Sequence, residues 1–363
     1  MMRGTLFRAV LLLHLTAFTA CSAPTRAPQP QPAQVAQAPA VDLSGIKSFL
    51  LDQTAALAQS SAKLEALSNQ YYATAKRAEF DYAKLWAEQP SQLIQQIESA
   101  RSAWVEASPL YEKMEGIVAG TPELAQFDLI LDAGTSVADD PDNAVPFDLT
   151  LADGRVFPKP GNLFGVTESA LWGTFADYTV KNVVADFNGN GRSEFGEALP
   201  DAHLLKAAAE ALNQYANQLQ SSAESWTPTT SEAFAALVTM VPTMNEYFAS
   251  WRDSRFVAGA ASAQRDFVAI SRLADMQDIL GGLQVIYHNV QPLTTAVDHA
   301  QGMQIASELT ALREFVEQVY QQEQSGKKFT AEEADLLGAE AQNRASTITG
   351  QISQMAGLLG IEL

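Results

Sequence analysis

The stretch DFNGNGRSEFGE, residues 186–197, places oxygen-bearing residues at the alternating positions of a calcium-binding EF-hand loop. Its candidate Ca²⁺ ligands are Asp186, Asn188, Asn190, Arg192 through its carbonyl oxygen, Glu194 and Glu197. Gly191, at the sixth position, permits the sharp turn, and Glu197, at the twelfth, can supply two oxygens to the ion. The pattern predicts a calcium site; the alternative is a solvated Asn-Gly turn between two helices.

Two residues depart from the EF-hand pattern. Ser193 stands at the eighth position, where paired EF-hands place an aliphatic residue, and Pro200 interrupts the helix that would leave the loop. The sequence contains no second loop of this kind. We therefore expect an isolated structural site, with a dissociation constant of roughly 10⁻⁴ to 10⁻³ M.

Two other acidic groups could bind a cation. The run Asp139–Asn143 is either a second oxygen-rich site or, as such runs usually are, a solvated turn. Asp275 and Asp278 share a helix face near Arg272, which favours a surface ion-pair group over a ligand cluster in a cleft between helices.

The overall charge excludes one class of partner. Acidic residues outnumber basic ones by 42 to 23, and the formal net charge of −19 repels phosphate backbones, so we expect no nucleic acid partner. Hydrophobic residues make up 47% of the 363 positions, enough to bury the core of one large domain or two modest ones.

The N-terminus predicts a membrane anchor. A basic segment and a short apolar run precede Cys21, the only cysteine, which resembles a bacterial lipoprotein signal. We expect a signal peptide at 1–20, lipidation of Cys21, a Pro/Ala/Gln-rich tether at 21–41 and a folded part at 42–363. The alternative is an ordinary signal peptide with an incidental cysteine. We expect the protein to be lipid-anchored in the bacterial cell envelope, on the periplasmic or cell-surface side.

Helical periodicity governs most of the folded part and predicts an all-α protein. Between 120 and 165 the pattern breaks, and alternating apolar residues around Asp153-Gly154 predict a short β-hairpin in a long loop. Thr330 and Glu333 form a capping box at the start of the last helix. We expect two antiparallel helical bundles, about 42–225 and 226–363. The predicted helices are 57–85 (ending before Pro90), 91–117, 201–219, 234–251, 267–290 (ending before Pro292), 309–320 and 331–359.

Two segments resemble the imelysin-like family, the group that includes the Efe-type iron-uptake lipoproteins and was once catalogued as metallopeptidases. They are LFGVTESALWGT, residues 163–174, and the helical sequence from 271 to the C-terminus. Family members carry a Gly-x-His-x-x-Glu motif; aligned with it, Glu168 matches the acid and Gly165 replaces the histidine. The resemblance implies a pair of four-helix bundles that handles metal ions or anionic ligands in the periplasm or at the cell surface. Glu168 is the residual acid of that site.

These observations lead to three functional hypotheses. The first is a lipid-anchored binding protein for metal acquisition, with iron or another transition metal as the bound ion and structural calcium at 186–197. The second is a scaffolding lipoprotein that has lost the family's metal site and contacts other envelope proteins. The third is a metallopeptidase, for which the sequence offers no His-Glu-x-x-His pair.

Overall fold

The structure, a computed structural model, describes residues 41–363. The predicted signal peptide, Cys21 and all but the last residue of the predicted tether lie outside the described residues. Within 41–363, no helix combines the length and apolar character that a membrane span requires.

α-Helices account for most of the described chain, which confirms the predicted all-α class. They are α1 (Ser44–Arg77), α2 (Tyr82–Glu88), α3 (Pro90–Val118), α4 (Ala125–Asp128), α5 (Leu163–Trp172), α6 (Ala202–Ser225), α7 (Thr230–Met240), α8 (Met244–Asp253), α9 (Arg272–Val297), α10 (His299–Gln324) and α11 (Ala331–Leu359). The predicted capping box of Thr330 and Glu333 begins α11.

The N-terminal helices pack around α1. Leu50, Leu57, Leu64 and Tyr71 follow one another at seven-residue steps, and all four are fully buried. This stripe faces α3 and α6, the main packing partners of α1. Near the end of α1, Gln96 of α3 donates to Thr74. Nearer its middle, Lys63 pairs with Glu106, so α1 and α3 are antiparallel.

The C-terminal helices pack around α9 and α11. α9 lies against α10, and α11 lies against α8 and α10. α3 also packs on α9, and the buried apolar residues form a continuous core. The division into two bundles near residue 225 stays a prediction.

Two predicted helix ends, near Pro90 and Pro292, are wrong, and the single helix predicted at 234–251 is divided into α7 and α8 by a 3₁₀ turn, Val241–Thr243. The first helix was expected to continue to Pro90, but α1 ends at Arg77, and Glu79 and Phe80 have φ of 54° and 59°. The Phe80 ring packs on His203, 4.2 Å between centroids, so a tertiary contact overrides the local helical pattern.

The second helix-end error is at Pro292, where a helix was expected to stop. α9 instead continues through Pro292 to Val297. Tyr287 donates to the Gly302 carbonyl at 2.7 Å and lies 3.1 Å from the Thr294 hydroxyl, so packing against α10 holds the last turn in place.

The excursion between α3 and α5 brings an acidic side chain into the interior. Its hairpin is as predicted: β1 (Leu149–Thr150) pairs antiparallel with β2 (Val156–Phe157), and Gly154 in the turn has φ of 88°. Before the hairpin, α4 leads into a π-helical turn, Leu129–Ala133. π-Helical turns are frequent at functional sites, and this one contains the buried Asp132.

Candidate metal site

A cavity of about 580 Å³ opens between the π-helical turn, the start of α5, α8 and the coil that precedes α9. Its acidic lining residues are Glu115, Asp132, Asp139, Glu246 and Asp266. Its basic lining residues are Arg265 and Arg272. Arg265 forms an ion pair with Asp139, 3.2 Å apart, so the acidic groups remain in excess.

Three carboxyl groups meet at the inner wall of the cavity. Glu112 and Glu115 are three residues apart on α3 and therefore share a face, and Asp132 approaches from the π-helical turn. One oxygen of each lies within 4.8 Å of the others, and all three side chains are buried. We call these three residues the carboxyl cluster.

The oxygens of the carboxyl cluster outnumber the hydrogen-bond donors that surround them. The Tyr247 hydroxyl donates to Glu115 Oε1 at 2.6 Å. Among the described residues, Glu112 Oε2 and Glu115 Oε2 are buried and have no partner. Buried acceptors without donors are uncommon, because the lost hydration is not replaced.

One guanidinium lies beside the cluster. Arg272 Nη1 is 2.9 Å from Asp275 Oδ2 and 3.7 Å from Glu112 Oε1, and its guanidinium also stacks over the Phe267 ring at 3.8 Å. Asp275 is therefore the carboxylate that Arg272 mainly neutralises. The cluster retains an excess of potential negative charge.

Burial changes the protonation of these acids. It raises the pKa of Glu112 and of Asp132 well above the usual range for carboxyls. Burial also raises the pKa of Asp275 to about 6, although the positive charge of Arg272 acts to lower it. Burial raises the pKa of Asp128 to about 7. Protons or a bound cation must therefore compensate the carboxylates.

The ion pair predicted at Arg272 is present, with Asp275, but its predicted position on the surface is wrong. Arg272 and Asp275 are 6% and 3% exposed, and Asp278 is partly buried. α9 packs against α3 and α8, and this packing buries the charged face that we expected to be exposed to solvent. The Asp139–Asn143 run is a turn in which the Asn143 amide donates to Asp140 Oδ2 at 2.7 Å.

Glu168, on α5, lies beside the cavity but accepts hydrogen bonds from the backbone. The N–H groups of Phe267, Val268 and Ala269 donate to its two oxygens at 2.6, 2.9 and 2.8 Å. Burial raises the pKa of Glu168 to about 8, while these donors favour its charged form. Both oxygens therefore fasten α5 to the coil before α9; metal binding by Glu168 stays a prediction.

Gly165 leaves a space that another acid fills. A Cβ at this position would lie 2.9 Å from Asp266 Oδ2 and 3.0 Å from Asn162 Oδ1. Asn162 caps α5 by accepting from the Gly165 N–H at 2.6 Å. Near Gly165 the cavity wall therefore presents a carboxyl group, from Asp266, rather than an imidazole.

The Asp186–Glu197 loop is separate from the carboxyl cluster and is mostly exposed. Asp186 accepts from the N–H groups of Gly189, Asn190 and Gly191, at 2.7 to 3.1 Å. Glu197, the twelfth residue of the loop, is buried. The Glu197 Oε1 accepts from two backbone N–H groups near the start of the loop, and the Glu197 Oε2 accepts from the Glu194 N–H at 2.8 Å.

The remaining predicted calcium ligands lie on the exposed side of this loop. The Asn188 amide contacts Glu194 Oε2 at 3.4 Å, and Asn190 Oδ1 accepts from the Arg192 N–H at 2.8 Å. Arg101 links the loop to α5 by donating to the Gly196 and Leu171 carbonyls. Calcium binding here stays a prediction.

The fold and the cavity together define an all-helical protein with an acidic internal site. The family model described as imelysin, peptidase family M75, matches residues 50–352, and the chain belongs to the imelysin family. No curated protein matches the chain.

Sequence reasoning missed the carboxyl cluster. The spacing of Glu112 and Glu115 is visible in the sequence, but the same spacing is common on solvated helix faces. Asp132 lies outside α3 in the sequence, and only the packing of the segment between α3 and α5 brings it next to Glu112 and Glu115.

Proposed function

We propose that the protein is a lipid-anchored, non-catalytic binding protein of the bacterial cell envelope that acts in metal acquisition, with iron as its cargo. The observation that carries the proposal is the surplus of carboxyl groups around the 580 Å³ cavity. Such a surface attracts cations and repels anions. The family motif lies on α5 at the same cavity, through Gly165.

The donor set favours binding over peptide hydrolysis. Zinc peptidases hold their ion with imidazole ligands and leave one position open for the reacting water. Among the described residues that line the cavity none is a histidine. The carboxyl groups can hold a cation, but they lack the partner groups that a hydrolase uses to position water.

Uptake measurements test the proposal. A strain without the gene should grow more slowly than its parent under iron limitation and accumulate less radioactive iron. Wild-type protein should restore both, and Cys21→Ser should restore them poorly because the tether loses its lipid. Equal iron accumulation with and without the gene would contradict the role in acquisition.

A scaffolding role is the second candidate. Both oxygens of Glu168 are occupied by backbone donors, and Gly165 offers no ligand, which favours loss of the family's own metal site. Leu336 and Leu358 of α11 are 67% and 60% exposed and could contact another envelope protein. Under this hypothesis, deletion alters the envelope while iron uptake stays normal.

We further propose that the Asp186–Glu197 loop binds one structural Ca²⁺. Its residue types support this proposal, and through Arg101 the ion would stabilise the connection between α5 and α6. Elemental analysis of protein purified without chelator should find about one calcium per chain. Its absence, even after dialysis against millimolar calcium, would contradict this site.

A further inference from the structure

The Asp186–Glu197 loop contains both Asn-Gly pairs of the sequence, Asn188-Gly189 and Asn190-Gly191. An asparagine that precedes glycine is especially prone to deamidation, because glycine has no side chain to hinder the approach of its backbone nitrogen to the asparagine side chain. Every other asparagine in the sequence precedes a larger residue. The loop is therefore where deamidation should concentrate.

Deamidation needs only the protein and water. The glycine nitrogen attacks the asparagine Cγ, a new C–N bond forms, and the side-chain nitrogen leaves as ammonia with the proton of the glycine N–H. Water then opens the resulting succinimide ring at one of its two carbonyl groups. The products are aspartate and isoaspartate, and each replaces a neutral amide by a carboxylate.

Solvent reaches both Asn-Gly pairs, since all four residues are exposed. Gly189 and Gly191 have φ of 73° and 79°, in the left-handed region that favours glycine. A Cβ on either glycine would have no other described atom within 4 Å. Packing by neighbouring side chains therefore does not protect the two pairs from water.

The Asp186 carboxylate holds both glycine nitrogens. The Gly189 N–H donates to Asp186 Oδ1 and the Gly191 N–H donates to Asp186 Oδ2, each at 2.7 Å. A charged acceptor strengthens these bonds and keeps the proton on the nitrogen. Each glycine must break its hydrogen bond to Asp186 before its nitrogen can attack the asparagine.

The asparagine side chains are held as well. Asn188 Oδ1 accepts from the Asn190 N–H at 2.9 Å, and Asn190 Oδ1 accepts from the Arg192 N–H at 2.8 Å. Such bonds to the N–H two residues on are typical of Asx turns. They restrict the rotation that would bring each Cγ to the glycine nitrogen.

We propose that Asn188-Gly189 and Asn190-Gly191 are deamidation sites that the Asp186 carboxylate protects while the loop is folded. The protection is absent before the loop folds and whenever it opens. Both asparagines are predicted calcium ligands, so the modification changes the charge of the loop at those positions. Neither calcium nor a metal ion in the cavity is needed for this chemistry.

Peptide mapping by liquid chromatography and mass spectrometry tests the proposal on the full chain, kept at mildly alkaline pH with a chelator. We expect Asp186→Ala to accelerate the loss of both asparagines about tenfold, the factor that corresponds to one lost hydrogen bond to a charged acceptor. Wild-type chain unfolded in urea should react at least as fast as this variant. Circular dichroism checks that the variant keeps its helices.

Two other acids of the loop provide controls. The exposed Glu194 contacts the Asn188 amide rather than a glycine N–H, so Glu194→Gln should leave both rates unchanged. Glu197 accepts from three N–H groups of non-glycine residues, so Glu197→Gln loosens the loop but spares the Asp186 bonds. It should accelerate deamidation less than Asp186→Ala does.

A second variant covers poor folding of Asp186→Ala. Asp186→Asn keeps one acceptor oxygen, so at least one glycine N–H loses its partner and at least one pair should react faster. Wild-type rates in this variant overturn the role of Asp186, as does equal acceleration by Glu197→Gln and Asp186→Ala. Folded wild-type protein that reacts as fast as the unfolded chain overturns the protection, and an unfolded chain that keeps both amides overturns the sites.

Discussion

The Asp186–Glu197 loop and the carboxyl cluster handle negative charge in opposite ways. In the loop, the carboxylates of the first and twelfth residues accept backbone N–H groups. In the cluster, carboxyl groups face one another, and two buried oxygens lack a donor. The loop is therefore electrostatically satisfied by its own backbone, whereas the cluster depends on protons or a cation.

The carboxylate of Glu168 accepts backbone hydrogen bonds as the carboxylates of the loop do, although Glu168 lies close to the carboxyl cluster. Three backbone donors surround its carboxylate, as three surround that of Glu197. A buried acid beside a cavity is thus not by itself a ligand. The carboxyl cluster differs from Glu168 in having two buried oxygens without a donor among the described residues.

The largest effect should come from removing a carboxylate that the backbone satisfies. Glu168→Gln should lower the free energy of unfolding by about 2–4 kcal/mol, because an amide NH₂ would face backbone donors and leave at least one without an acceptor. Urea unfolding measures this, with the exposed Glu123→Gln as control. A loss below about 1 kcal/mol would show that the three hydrogen bonds contribute little.

Calcium should act on the loop with an intermediate effect. With a dissociation constant of roughly 10⁻⁴ to 10⁻³ M, 10 mM Ca²⁺ should raise the free energy of unfolding by about 1.4–2.7 kcal/mol. Glu197→Gln should abolish the response, because the twelfth residue supplies two oxygens. An equal response in that variant would place the calcium elsewhere, and the same titration with Mg²⁺ is the control.

In the metal-free protein, the free energy of unfolding should depend on pH because of the buried carboxyl groups near the carboxyl cluster. Burial raises the pKa of Asp275 to about 6 and that of Asp128 to about 7, above the usual 3.8. The folded state therefore keeps protons that the unfolded chain releases, and this stabilisation, complete below about pH 4, is lost as pH rises through 6 to 7.

Asp128→Asn tests this effect. It should reduce the loss of unfolding free energy between pH 4 and pH 7 by at least about 1 kcal/mol, measured by urea unfolding at each pH. Parallel curves for wild type and Asp128→Asn would mean that Asp128 does not titrate in this range.

Features specified by neighbouring residues could be predicted from the sequence. The hairpin around Gly154 and the capping box of Thr330 and Glu333 depend on residues within a few positions of each other. The all-α class follows from long apolar stripes such as Leu57 to Tyr71. The resemblance to the family rests on such local patterns, and the family match confirms it.

The candidate site could not be predicted because its defining property is burial by distant elements. Nothing near Asp132 in the sequence indicates that it meets α3, and Arg272 and Asp275 read as an exposed pair until α3 and α8 cover them. The early end of α1 has the same origin, since His203 lies far along the chain from Phe80.

The Glu168 hydrogen bonds also have a consequence for the order of folding and for proteolysis. They join residues 99 to 101 positions apart, so they form only after the chain has been made as far as Ala269. Until then the stretch between α8 and α9 lacks the hydrogen bonds that attach it to α5. This stretch is therefore accessible to proteases in a chain that is slow to fold.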